Sequence, residues 1–166
     1  MLREKEIDLQ LDIWKKVIDV QMHFNDLCLR IRSFAVSVLG VLLGASAVAY
    51  RFGGNVSFLC FENVPVAVFF LVISLVAWGS FYLMDRFWYH ELLKGAVHHA
   101  LDIEERLKSL FPEISLSHTV KDQSHLSLRM NAAKKLNVFY LLIALVQILA
   151  VVVLLFGGVG LEQVKP

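Results

Sequence analysis

Along most of this chain, apolar and polar residues alternate with a helical period, and in three places the polar residues drop out altogether. Near the start, Ile7, Leu11, Trp14, Ile18 and Met22 recur every three or four positions, with Asp8, Asp12, Lys15, Lys16 and Asp19 between them. That spacing predicts an amphipathic helix. A second patterned stretch, "DRFWYHELLKGAVHHALDIEERLKSLF", carries Leu93, Val97, Ala100, Ile103 and Leu107 on one stripe. It predicts a helix through Phe111, ended by Pro112. The three interruptions are charge-free blocks at residues 33–50, 64–84 and 138–158. A bilayer core takes about 20 apolar residues in helix, with a range of roughly 17–25, and all three blocks fit.

No proline or glycine precedes Gly40, so the first amphipathic stretch is expected to run directly into the first block. Gly53 and Gly54 lie just beyond that block and read as a turn. The segment 113–126, "EISLSHTVKDQSHL", has weak periodicity and reads as a partly ordered or mobile connection. A short basic helix from about residue 127 then feeds the third block.

Charge adds an orientation. Of sixteen Lys and Arg residues, only Arg51 and Lys165 fall outside the segments 1–32 and 85–137. The positive-inside rule places those two segments in the cytoplasm. The expected fold is an all-α membrane protein with three transmembrane helices and long cytoplasmic amphipathic helical extensions. It divides into a cytoplasmic amphipathic helix (1–32), transmembrane helix 1 (33–50), an outer loop (51–63), transmembrane helix 2 (64–84), a cytoplasmic helix and connection (85–137), transmembrane helix 3 (138–158) and an outer tail (159–166). The N-terminus is then cytoplasmic, the C-terminus outside, and the location the inner (plasma) membrane, crossed several times. Composition agrees: 57% of the residues are hydrophobic, against about 45–50% in ordinary soluble domains. The net charge of +1 hides the asymmetry, because the acidic residues follow the basic ones. The charged part is therefore no basic patch for nucleic acid. Cys28 and Cys60 fall on opposite sides of the membrane in this topology and form no disulfide framework.

Candidate chemistry is sparse. His98 and Asp102 share a helix face, which reads more simply as an i,i+4 surface pair than as a metal site. Arg86 and His90 resemble the Arg–His pair of HEPN-type ribonucleases, but with a shorter spacing and with Phe87 where that motif carries a polar residue. Arg86, Trp88 and Tyr89 as anchors at the membrane interface account for the same residues without chemistry. The expectation is therefore no enzyme activity, no cofactor and no metal. No acid or base lies within any apolar block, which argues against a secondary transporter. Gln147 is the one strongly polar residue at depth, and an amide there can bond between helices.

Two sets of residues remain. Gly40 and Gly44 form a Gly-x-x-x-Gly pair in the first block, flanked by Ser33, Ser37, Ala45, Ser46 and Ala47, and small residues let helices approach closely in lipid. Asn25, Asp26, Arg30, Arg32, Asp85, Arg86 and His90 are expected to meet at the inner mouth or a partner surface. Arg30 or Arg32 would pair there with Asp85 in a partly desolvated layer.

The stretches "IWKKVIDVQMHFNDLCLRIRSF" entering the first block and "MDRFWYHELLKGAVHHALDIEERL" leaving the second give a layout similar to that of SLATT-type effectors. Those are small bacterial membrane proteins of conflict and antiphage systems. The likeness covers about residues 13–107, and the third block lies beyond it. It implies a homo-oligomer in the lipid bilayer that forms or gates a pore or perturbs the membrane as an antiphage defence effector. The alternative expectation is a non-conducting anchor or regulatory subunit for a cytoplasmic protein partner.

Overall fold

In a computed structural model, the structure describes residues 2–58, 61–126 and 130–156, with side chains described for these except residues 2, 3, 58, 61, 62, 125 and 126. Helix α1 (Leu2–Phe52) is unbroken. Strands β1 (Asn55–Phe58) and β2 (Phe61–Pro65) follow, then helix α2 (Val66–Met84). A five-residue π-helical segment (Asp85–Tyr89) joins α2 to helix α3 (His90–Leu107). Helices α4 (Leu116–Leu126) and α5 (Ala132–Phe156) complete the chain. Three helical stretches, in α1, in α2 through α3, and in α5, are long and apolar enough to cross a membrane. The protein is a helical, multi-pass membrane protein.

The chain forms two compact units. One comprises Met1–Ile31 and Met84–Leu136, the other Arg32–Leu83 and Asn137–Pro166. The first contains the charged segments and is here termed the polar unit. The second contains the three apolar blocks and is termed the membrane unit.

In the membrane unit, the buried residues are Ala35, Ser46 and Ala49 of α1, Ala67, Val68, Leu71, Ser74 and Trp78 of α2, and Tyr140 and Gln147 of α5. The outer side of α1 carries large residues, Phe34, Val41, Val48 and Phe52, all exposed. That distribution suits helices solvated by lipid, where exposure of apolar residues costs nothing. The glycine turn expected after the first block is present, but it opens a two-stranded antiparallel hairpin in which Asn55 pairs with Pro65 and Val56 with Val64. Gly53 is required at its position, because a Cβ would lie 2.5 Å from the carbonyl oxygen of Ala49. Gly54 takes a left-handed φ of 65°, which glycine adopts without steric cost, and its carbonyl accepts the N–H of Val66 at 3.1 Å.

In the polar unit, one expectation is corrected and another is made specific. Helix α3 stops at Leu107 rather than Phe111, because the N–H groups of Leu110 and Phe111 both close onto the Leu107 carbonyl, at 2.9 and 2.8 Å. Such a tight final turn is a common way to satisfy terminal carbonyls. The weakly patterned connection at 113–126 contains an eleven-residue helix, α4, whose start is held by a side chain from α3. The third apolar helix is described only to Phe156, and Cys60 and the tail 159–166 lie outside the described residues.

Candidate functional site

Each unit is tied together by buried polar groups. In the membrane unit these are neutral and bond between helices. The Ser46 hydroxyl donates to the Ala67 carbonyl at 3.0 Å, linking α1 to α2. The Ser74 hydroxyl donates to Oε1 of Gln147 at 2.7 Å, and the Trp78 indole N–H donates to the Tyr140 carbonyl at 2.9 Å, both linking α2 to α5. The Tyr82 hydroxyl lies 3.3 Å from Oδ1 of Asn137. The rings of Trp78, Tyr140 and Tyr82 pack alongside at tilted angles, with centroids 4.8 Å apart for the first two and 5.3 Å for the last two. Gln147, expected from the sequence as a bonding amide at depth, does bond between helices.

In the polar unit the corresponding group is a carboxylate. Glu104 is buried on the apolar stripe of α3, beside Ala100, Ile103 and Leu107. Its oxygens accept the N–H of Ser117 at 2.9 and 3.1 Å and the N–H of His118 at 3.2 Å. Those are unsatisfied donors of the first turn of α4, and an anion is favoured at a helix N-terminus. The indole N–H of Trp14 on α1 donates to the same carboxylate at 3.3 Å. One side chain therefore joins α1, α3 and α4. Beside it lies a polar cleft of about 330 Å³, lined by Glu104, Lys108, Ser115, His118, Thr119 and Asp122 among others.

The expected inner-mouth set divides. Asn25, Asp26 and Arg30 are exposed. Arg30 pairs at 2.8 Å with Asp26, one turn away on its own helix, and not with Asp85. Asp85 is fully buried and His90 nearly so, while Arg32 is half-buried. Arg86 reaches Glu91 at 2.6 Å and packs over the Phe87 ring, 5.4 Å from its centroid. The π-helical turn brackets this arrangement: the N–H of His90 bonds back to the carbonyl of Asp85, five residues earlier. Burial, then the charges of Arg86 and Lys94, holds His90 below the ordinary imidazole range. Hydrogen bonds from Lys94 and Arg86 hold Glu91 below the ordinary carboxylate range.

His98 lies 3.4 Å from Asp102 with both side chains exposed, an ordinary surface pair. Among the described residues, no three His, Cys, Asp or Glu side chains are grouped to hold a metal ion. Gly40 and Gly44 are exposed, and a Cβ built on either meets nothing within 4 Å. The pair is therefore unused in packing within the described chain. It belongs to a longer stripe, Ser33, Ser37, Gly40, Gly44 and Ala47, spaced by four and three residues and exposed throughout. Glu104, Trp14 and the Ser74–Trp78 ladder were not anticipated. A charged residue inside the stripe Ala100–Ile103–Leu107 is the sequence signal that marks Glu104.

Comparison with family models, with curated proteins and with solved structures gave no match.

Proposed function

We propose that this chain is an oligomeric inner-membrane protein that forms or gates a pore, or otherwise perturbs the bilayer, as a defence effector of the antiphage kind. The observation that carries the reading is the small-residue stripe Ser33–Ser37–Gly40–Gly44–Ala47, which is exposed, with nothing among the described residues within 4 Å of a Cβ built at Gly40 or Gly44. Exposed large residues such as Phe34, Val41 and Val48 suit lipid. A row of serine, glycine and alanine suits close approach of another helix. The spans hold neutral hydrogen bonds and no acid or base, which fits an assembly better than a proton- or ion-coupled carrier. The segregation of Lys and Arg supports a cytoplasmic N-terminus and an outer C-terminus. The layout shared with SLATT-type effectors supports the defence role.

A second reading, a non-conducting anchor for a cytoplasmic partner, is favoured by the compact polar unit with its cleft beside Glu104. Induced expression in cells loaded with a membrane-potential dye separates the two. Depolarisation that is lost in Gly44→Leu supports the pore. Full potential at high membrane levels of the protein, with and without phage challenge, supports the anchor.

A further inference from the structure

The side chain of Gln147 is 2% exposed. Its Oε1 is satisfied by Ser74, but its Nε2 is buried with no hydrogen-bond partner among the described residues. In hydrocarbon no water is present to satisfy an amide N–H, so such a group is strongly driven to find an acceptor. Gln147 lines an apolar cleft of about 230 Å³ between α1 and α5, with Leu39 and Leu43 on one side and Leu142 and Val146 on the other. Leu142 and Val146 are exposed, so the cleft opens outward. A lipid acyl chain offers no acceptor at this depth. The occupant has to bring one.

The geometry points to a second copy of this chain: the Ser33–Ser37–Gly40–Gly44–Ala47 stripe of one copy seats in the α1/α5 cleft of the next, where the Gln147 amide turns from its buried position to donate to a main-chain carbonyl at Gly40 or Gly44. This rests on the oligomeric reading above and adds the interface. A helix carbonyl keeps a second lone pair after its own helical bond, and at glycine no Cβ shields it. Depth agrees as well. Leu39 and Leu43 share the cleft with Gln147, and Gly40 and Gly44 are their next neighbours. Copies inserted in one orientation are related by an axis along the bilayer normal, which leaves depth unchanged. Gly40 and Gly44 of a neighbour therefore arrive at the level of Gln147. At about 100° per residue, stripe and cleft lie on different sides of α1. The contact is head-to-tail and repeats into a ring rather than closing as a pair.

The test uses the full chain with Cys28 and Cys60 replaced by alanine. Gly44→Cys and Val146→Cys chains carrying tags of different size are co-expressed, oxidised in the membrane and separated by mass, and particle mass is measured in nanodiscs. A mixed-size cross-linked dimer on an assembled particle is expected. Gln147→Leu should weaken subunit association about three- to twentyfold, from the mean to the largest effect measured for interhelical hydrogen bonds in a membrane protein. Leu145→Ala, at an exposed position of α5 that does not line the cleft, should leave association unchanged. An assembled particle that gives only Gly44–Gly44 links, or only co-purifying lipid and no mixed link, overturns this interface and leaves the oligomer standing. A single-chain mass across concentrations overturns both.

Discussion

The two units solve the same problem with opposite chemistry. In each, helices that share little local pattern are fastened by a buried polar side chain. The membrane unit uses neutral groups: a serine hydroxyl on a glutamine oxygen, and an indole on a main-chain carbonyl. The polar unit uses an ionisable carboxylate that collects two main-chain N–H groups and an indole. The difference follows the solvent outside. Next to water, a carboxylate is desolvated only as far as its donors and the helix dipole compensate. In hydrocarbon the cost of an ion is far larger, and a neutral amide does the fastening more cheaply.

The comparison predicts unequal losses. Glu104→Ala strips the first turn of α4 of its acceptor and leaves the Ser117 and His118 N–H groups without it, which should cost about 2–4 kcal/mol. Hydrogen exchange should accelerate across α4, and thermal unfolding should come earlier. Ser74→Ala should cost only about 0.6 kcal/mol, the mean found for hydrogen bonds between membrane helices, read by reversible unfolding in mixed micelles. A membrane loss equal to the Glu104 loss would break the comparison.

These two fasteners were unequally visible beforehand. The apolar blocks are legible because length and absence of charge are enough to mark a span. Gln147 stood out as the one amide at depth. The Glu104–α4 contact was not legible, because α4 takes its cap from a residue thirteen positions before Ser117 while its own periodicity is weak. The π-helical turn was equally hidden. A single extra residue in a helical turn leaves apolar spacing almost unaltered, yet it accompanies the burial of both Asp85 and His90. The inner-mouth set was legible as charge at a boundary, and of the two arginines expected to reach Asp85, Arg30 takes another partner. Arg30 turned to Asp26, since a neighbour one turn away is reached with less ordering than one on another helix.

Two smaller effects sharpen the contrast inside the polar unit. His90 is held below its ordinary value of 6.5, first by burial. Above that pH it is neutral folded or unfolded, and its ionisation leaves stability unchanged. As pH falls below about 6.5 the unfolded chain takes up the proton first, so stability declines. A pH series of melting curves should show that decline, and His90→Phe should flatten it. Glu91, by contrast, is an exposed partner of Arg86 and Lys94. Glu91→Gln should leave the melting temperature unmoved at moderate salt, as exposed pairs generally do.

The central claim, that copies of this chain assemble to breach a bilayer, is tested most directly by current recordings of the purified full chain in planar lipid bilayers at rising protein density. The account predicts discrete, protein-dependent current steps that disappear in Gly44→Leu. Sealed bilayers at every density, with insertion verified by protease protection on the same preparation, would contradict it.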